Sequence, residues 1–397
     1  MARPRADFVT VFAVLAVTAV VATAPGPLLV VIRDEFGLTF AQLGLIFSAQ
    51  ALAGMLTNIP AGMVADRLPA RVPIAAGAAG LAAGTLLMAL SPGYLILLAG
   101  NLIATVGATF MITSSIAYTV AQADPEQRGR ATSRVMSGVQ VGAFIGPALA
   151  GVVAAAFDWR AALILPAALC LCVAAVIPAI VRGGAPSRPE RSPRMFSLGD
   201  LRLPRVVWPI IALAMLLTGP VVGQSRVILP LYAGEGLDFT PAVVGVAISA
   251  MSAARAVLTF LSGNLMDRAG RGSAFYAMVL GAFGAAVLLT LPLGLGVFIA
   301  AGALSAVTGL GAVLPSVLIG DRVPKAYVGR SLGVLLTMGS LVQLGVAPAV
   351  GFLLDVRGYE FVGIAMAVLL GLAGVIGWRV VGDLPWKRRA PDSSSDR

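Results

Sequence analysis

Histidine is absent from all 397 residues of the sequence, and only 12% of the residues are charged. The missing histidine excludes a histidine proton relay and a histidine-ligated metal site. A soluble domain carries about 25% charged residues. Because 58% of the residues are hydrophobic and the mean hydropathy is +0.94, the chain has more apolar surface than a soluble fold can bury. Lipid is therefore the predicted solvent for most of the chain.

Twelve apolar segments are each long enough to cross a bilayer as a helix, which takes about 20 residues. They form two groups of six around a polar stretch, at roughly 8–32, 41–64, 72–90, 94–120, 132–156 and 161–181, and then 206–232, 241–266, 273–291, 293–317, 331–354 and 361–381. The predicted fold is an all-α membrane protein with twelve transmembrane helices in two pseudo-symmetric six-helix bundles. These bundles would occupy 1–181 and 206–381, with a basic linker at 182–205 and a disordered tail at 382–397.

The net charge of +10 is a signal of topology. The segments predicted to lie inside hold 23 of the 28 lysines and arginines, whereas the outer loops hold only Arg33, Arg160 and Arg357. Positive residues concentrate on the cytoplasmic side, so we expect a multi-pass protein of the bacterial inner membrane with both termini in the cytoplasm. Its basic residues would face anionic lipid headgroups rather than nucleic acid.

The second half of the chain repeats the first at an offset of about 200 residues. The matching residues recur in order, with Thr39, Gly44, Ser48, Gly62, Asp66 and Arg67 followed by Thr240, Gly245, Ser249, Gly263, Asp267 and Arg268. A parallel repeat of six helices is an architecture that places a substrate site between the halves at mid-membrane.

Two loops at equivalent positions of this repeat carry one charged motif. The loop after the eighth span has the pattern G-x-x-x-D-R-x-G-R, formed by Gly263, Asp267, Arg268, Gly270 and Arg271. The loop after the second span has Pro69 and Ala70 where that pattern has Gly and Arg, and it keeps Gly62, Asp66 and Arg67, with Arg71 one position later. Both loops resemble the signature of the major facilitator superfamily, and the departure at Pro69 affects only one copy.

The fifth span carries a second motif, with glycines on one face around a proline at Gly142, Gly146, Pro147 and Gly151. It is similar to the G-x-x-x-G-P-x-x-G-G antiporter signature of the same superfamily, with Ala150 for one Gly. Glycines permit close helix packing, and the proline removes one backbone hydrogen bond. The resemblance covers residues 8–381 and implies a twelve-helix secondary transporter like the drug and metabolite efflux members.

The resemblance also implies gating roles for the charged loops. Asp66 is expected to contact the start of the eleventh span near Ser331, and Asp267 the start of the fifth span near Ala131. A carboxylate is stabilised there by the positive end of the helix. The loop arginines would pair with nearby acids such as Asp124.

Two arginines lie inside predicted spans, and one of them, Arg255, is near the middle of the eighth. Helical spacing places it on one face with Ser249, Ser252, Thr259 and Ser262. Because a lipid-facing arginine costs about 3 kcal/mol or more, this face should border a wet cavity. The expected substrate-binding residues are Arg255, Arg226, Ser252, Asn101, Gln140 and Gln343.

Structural roles are the open alternative for each of these residues. Arg226 would snorkel toward water or pair with Glu235, and Arg255 would pair with another polar group. The amides of Asn101, Gln140 and Gln343 would join helices by hydrogen bonds.

The leading functional hypothesis is export of a small organic molecule by a monomer, without enzymatic activity, metal or cofactor. No acid falls in the middle of a predicted span, so protons are a coupling ion implied by the family alone. Without a nucleotide-binding loop, ATP drive is not expected. Uptake or facilitated diffusion of a small organic anion is the alternative that the two arginines favour. A membrane receptor without transport would need a sensory domain, for which the sequence has no segment.

Asp66→Asn and Asp267→Asn should each impair transport without preventing membrane insertion, because each variant loses a charge-assisted contact at a helix end. Transport by purified protein in proteoliposomes, divided by the amount of inserted protein, measures both effects. Wild-type turnover in both variants would show that these loops are not gates.

Overall fold

The computed structural model describes residues 3–122, 128–181, 204–291, 295–311, 314–323 and 325–381, and within them every regular element is a helix. The α-helices are α1 (Arg3–Thr23), α2 (Leu29–Phe36), α3 (Phe40–Arg67), α4 (Arg71–Ala89), α5 (Tyr94–Gln122), α6 (Arg128–Ala156), α7 (Trp159–Ile180), α8 (Val207–Gly223), α9 (Leu229–Leu231), α10 (Pro241–Ala269), α11 (Arg271–Leu288), α12 (Leu295–Val307), α13 (Leu314–Arg322) and α14 (Lys325–Val381). Most of the predicted linker and the whole predicted tail lie outside the described residues.

The described residues contain eleven helices that are long and apolar enough to cross a membrane, and the last of these crosses twice. It runs over Thr337–Val381, and its 45 residues would span about 68 Å, against a hydrocarbon core of about 30 Å. Gly358 breaks it with φ 75° and ψ −177°, a conformation that glycine adopts without steric strain. The predicted twelve-helix fold is therefore confirmed.

Large apolar side chains cover much of the outer surface, as expected for helices that face lipid. Leu95, Phe260 and Val375 are 77%, 83% and 70% exposed. A water-facing surface rarely carries so many such residues, whereas hydrocarbon solvates them well.

Three predicted spans are interrupted rather than continuous. The first contains a 3₁₀ turn at Gly26–Leu28, and the tenth contains one at Thr308–Gly311. The seventh contains two π-helical turns, at Gln224–Ile228 and Tyr232–Gly236. Proline explains part of this, since Pro230 has no N–H to donate to the carbonyl oxygen of Arg226 four residues earlier.

The chain divides into two compact units that do not follow the halves of the repeat. Unit 1 contains Met1–Asp200 together with Val222–Ala253 and Ser340–Gly358, and unit 2 contains Leu201–Val221, Ala254–Gly339 and Tyr359–Arg397. Unit 1 therefore combines the first six spans with parts of the seventh, eighth and eleventh.

Glycine contacts join α4 and α5 within unit 1. A Cβ at Gly84 would overlap the backbone nitrogen of Ala104, and a Cβ at Gly107 would overlap that of Leu81. Neither helix can carry a larger side chain there, so their backbones approach closely, which is how helices associate in lipid.

In unit 2 an arginine caps the C-terminal end of the last helix, α14. The Arg322 guanidinium donates hydrogen bonds to the backbone carbonyls of Val380 and Val381 at the end of α14. A cation there is also stabilised by the negative end of the helix. Nearby, the side chain of Phe275 packs directly against Gly377, where a Cβ would overlap the ring.

Gly84→Ala should lower the melting temperature of the purified protein by several degrees, because overpacking a helix contact costs about 1–3 kcal/mol. Gly80→Ala is the matched control on the same helix, since its Cβ would lie 3.5 Å from Gly107 Cα, an ordinary contact. Thermal unfolding in detergent measures both. Equal melting temperatures for the two variants would contradict the close approach of α4 and α5.

Candidate functional site

Charged residues from three predicted outer loops meet at one end of unit 1. Arg33 on α2 forms an ion pair with Glu235, with 2.7 Å between Nη1 and Oε1. Glu35, also on α2, accepts hydrogen bonds from both terminal nitrogens of Arg160, at 3.1 and 2.6 Å, and from the indole N–H of Trp159. These contacts place the loops after the first, fifth and seventh spans at a common end.

The first turn of α3 is capped at the same end. Thr39 and Gln42 form a capping box, in which the Thr39 hydroxyl accepts from Gln42 N–H and the Gln42 side chain accepts from Thr39 N–H. The Asp355 carboxylate accepts from the amides of Phe40 and Ala41, at 2.9 and 3.0 Å. The backbone amides of residues 39 to 42 therefore all have acceptors. For Phe40 and Ala41 the acceptor is a residue 315 and 314 positions away in the sequence.

Below this cap, α3 packs directly on Ser340–Gly358 of α14. A Cβ at Gly44 would overlap the carbonyl oxygen of Ala347, and a Cβ at Gly351 would overlap that of Phe40. The Ser48 hydroxyl donates a hydrogen bond of 2.6 Å to the carbonyl of Leu344. Small residues thus bring the two backbones together over about two turns of each helix.

The same contact occurs a second time between α10 and α6. A Cβ at Gly245 would overlap the carbonyl oxygen of Pro147, and a Cβ at Gly151 would overlap that of Pro241. The Ser249 hydroxyl accepts a hydrogen bond of 2.9 Å from the amide of Ala148. At the offset of about 200 residues the four glycines and the two serines match, although Ser48 donates to a carbonyl and Ser249 accepts from an amide. The glycines and serines of the repeat therefore belong to two equivalent interfaces.

The other glycines of the fifth-span motif pack on α1. A Cβ at Gly142 would overlap the carbonyl oxygen of Ala16, and a Cβ at Gly146 would overlap the Thr23 hydroxyl. Pro147 lies between the two packing faces. The motif therefore holds α6 against α1 on one side and against α10 on the other.

The structure describes only part of the charged loop motifs. The side chains of Asp66 and Asp267 are not described, and Asp124 lies outside the described residues. Arg67, Arg71 and Arg268 are exposed, and no described atom lies within 4 Å of a Cβ built on Gly62.

Two residues of the loop after the eighth span have clear structural roles. Gly270 has φ 85°, which favours glycine at the start of α11. Arg271 pairs with Asp321, with 2.6 Å between nitrogen and oxygen. The prediction of an acidic partner for this arginine is met, by an acid at the end of α13.

Asn101 joins α5 to α3. Its amide N–H₂ donates to the carbonyl of Ile46, and its amide oxygen accepts from Gln50, both at 2.9 Å. Asn101 is 2% exposed, so both ends of its amide are used inside the protein. Among the other predicted binding residues in unit 1, Gln140 is exposed, and Ser252 and Gln343 are half-buried.

Arg255 is half-buried in unit 2 and close to the turn of the tenth span. A Cβ at Gly309 would lie 2.5 Å from the Arg255 carbonyl oxygen and 3.2 Å from its Cγ. That carbonyl also accepts from the Thr259 hydroxyl at 2.8 Å. Thr259 and Ser262 thus bond to their own helix, as hydroxyls in helices commonly do.

Arg226 lies in the first π-helical turn of the seventh span. The residue keeps more than a third of its surface exposed. Within the described residues its guanidinium has neither an ion pair nor a hydrogen bond, and Glu235 pairs with Arg33 instead. The ion pair proposed between Arg226 and Glu235 is therefore not made.

Gln224 opens the same π-helical turn and was missed by the sequence analysis as a site residue. It is 1% exposed, and neither atom of its amide has a hydrogen-bond partner among the described residues. Buried polar groups are nearly always satisfied, and π-helical turns are frequent at functional sites. A polar residue in an apolar span that Pro230 interrupts six positions later is the signal that could have found it.

Taken together, the fold and these contacts define a polytopic membrane protein built from a parallel repeat of six helices. The model of the Major Facilitator Superfamily matches residues 11–292 and 225–396. The chain belongs to this superfamily of membrane transporters.

Solved structures share the fold over nearly the whole chain. One is a bacterial homolog of the human lysosomal transporter Spinster in an inward-facing and unoccupied conformation, with a TM-score of 0.78 and 16% identity over 98% of this chain and 100% of that one. Another is a mutant of the nucleoside transporter NupG, with a TM-score of 0.77 and 12% identity over 95% and 99%. At these identities the likeness establishes the fold alone.

Curated relatives match shorter stretches. The human vesicular acetylcholine transporter is 29% identical over 113 residues, which are 28% of this chain and 21% of the relative. The uncharacterized MFS-type transporter YceJ of Bacillus subtilis (strain 168) is 26% identical over 167 residues, or 42% and 43%. The matches thus span less than half the length of these relatives.

Gln224→Met should raise the melting temperature by a few degrees and lower transport several-fold. Replacing an unsatisfied buried amide by an apolar side chain of similar size removes a cost of about 1–3 kcal/mol, and functional sites commonly trade stability for activity. Thermal unfolding and transport measured on the same preparation test both effects. A lower melting temperature would show that the amide is satisfied in the native protein.

Proposed function

We propose that the chain is a secondary active transporter that exports small organic molecules by alternating access across the bacterial inner membrane, with both termini in the cytoplasm. Membership of the superfamily supports transport. The antiporter-like motif from Gly142 to Gly151 supports export, and the 23-to-3 distribution of basic residues supports the orientation.

The observation that carries this proposal is the pair of equivalent interfaces in unit 1. Each joins a span of the first half of the sequence to a span of the second half, α3 to α14 and α6 to α10. In each, glycines and a serine hydroxyl meet the backbone of the facing helix. Such surfaces support a gate, because backbones that meet through small residues can separate without repacking large side chains.

Arg226 is the best-supported substrate contact. A guanidinium stays charged at any physiological pH, and inside a membrane protein its charge needs water or an anion. Because its side chain is accessible, a substrate carboxylate or phosphate could form a bidentate pair with it. Arg255, Ser252, Gln140 and Gln343 remain proposed contacts, whereas the bonds of Asn101 to α3 favour a structural role for that residue.

Uptake or facilitated diffusion of a small organic anion is the second candidate, and Arg226 is also the observation that favours it. Protons are the proposed coupling ion for export, on the strength of the family resemblance. Direction and coupling separate the candidates, since facilitated diffusion needs no gradient of protons.

Arg226→Ala should abolish transport of anionic compounds and spare neutral ones, while Arg226→Lys should retain weak transport, because the charge stays but the planar fork is lost. Arg255→Ala and Arg255→Lys should behave in the same way if that residue also binds the anion.

A panel of anionic and neutral compounds, first selected by thermal shift, would be assayed in right-side-out and inverted vesicles with and without a protonophore. Proton-driven movement out of the cytoplasm supports export, and gradient-independent movement supports diffusion. Unchanged anion transport by Arg226→Ala would refute the substrate contact.

A further inference from the structure

We propose that Asp355 is a positioning residue of the transport cycle, which clamps the start of α3 against Ser340–Gly358 of α14 while the predicted outer end is closed. The inference rests on the proposed transport function, and it identifies a contact that would hold the outer end closed. It concerns the end opposite to the charged loop motifs.

The clamp follows from what the first turn of a helix lacks. The amides of Phe40 and Ala41 have no acceptor within α3, because the residues four positions earlier precede the helix. Asp355 accepts one amide with each carboxylate oxygen, at 2.9 and 3.0 Å. A charged acceptor forms stronger hydrogen bonds than a neutral one, and the positive end of the helix attracts the carboxylate further.

The neighbouring contacts show why separation of α3 from α14 would release the clamp. Gly44, Gly351 and Ser48 join the two backbones directly below it. Asp355 itself is exposed, so water can reach both the carboxylate and the freed amides when the helices separate. The exchange of protein for water around these groups can therefore be reversed in each cycle.

The equivalent interface lacks such a clamp, and the sequence explains the difference. At the offset of the repeat, Pro241 corresponds to Phe40 and Ala155 corresponds to Asp355. Proline has no N–H, so the start of α10 has one amide fewer to satisfy, and alanine has no acceptor to offer. The carboxylate thus occurs at the one interface of the pair that presents both amides.

Hydrogen–deuterium exchange of the full chain in detergent tests the clamp without requiring a substrate. Asp355→Asn should increase exchange about tenfold or more at the amides of Phe40 and Ala41, because hydrogen bonds to a charged group are worth about 1.5–3 kcal/mol. It should also increase exchange in peptides 42–48 and 344–351 together, since the clamp holds the whole interface. Glu360→Gln is the matched control, an exposed acid five positions further along the chain, beyond the break at Gly358, that forms no ion pair within the described residues.

Three outcomes would overturn the clamp: unchanged exchange in Asp355→Asn, an equal increase in Glu360→Gln, or an increase confined to residues 40 and 41, which would mark a local cap. Asp355→Glu, which restores the charge on a longer side chain, should recover part of the protection. Transport assays on the same proteins keep the two proposals distinguishable. A wild-type protein that transports no compound would refute the proposed function. The exchange data would still show whether Asp355 holds α3 against α14.

Discussion

Hydrocarbon offers no hydrogen bonds, so every amide and carbonyl within a membrane needs a partner in the protein itself. Helices satisfy this demand along their length and leave it open at their ends, where four amides and four carbonyls have no intrahelical partner. Three charged residues of this chain bond to such ends. Asp355 accepts from the first amides of α3, Asp158 accepts from the amide of Trp159 at α7, and Arg322 donates to the last carbonyls of α14. Part of the low charge content therefore stabilises the ends of helices.

The same solvent decides how the helices associate. Lipid tails are as apolar as leucine, so burying leucine gives little drive to pair helices, and close backbone packing takes its place. Glycine supplies that closeness inside unit 1, at Gly84 and Gly107 between α4 and α5 and at Gly44 and Gly245 in the two equivalent interfaces.

Features that depend on local sequence were predictable, and features that depend on distant partners were not. Hydropathy and the positions of arginines predicted the spans, since each segment meets lipid or water independently of the others. The repeat of Gly44 and Ser48 at Gly245 and Ser249 was visible as a pattern, but only the structure shows that these residues form two copies of one contact. Asp355 and Phe40 lie 315 positions apart, so no periodicity pairs them. Glu235 illustrates the opposite error, because its nearness in sequence to Arg226 suggested an ion pair that Arg33 makes instead.

The seventh span shows how a local rule and tertiary packing combine. Pro230 removes one backbone hydrogen bond from any helix that contains it. The backbone can accommodate this loss by a kink, a 3₁₀ turn or a π-helical turn. A π-helical turn contains one residue more than an α-helical turn, so it changes the direction of the side chains before it. In this turn Gln224 is buried and Arg226 is accessible. The corresponding break in the first span, at Gly26–Leu28, has prolines at Pro25 and Pro27 and a 3₁₀ turn instead. Equivalent positions of the repeat therefore share an interruption but not its form, and only the second half places an arginine there. The two halves of the repeat therefore differ at this position both in backbone conformation and in charge.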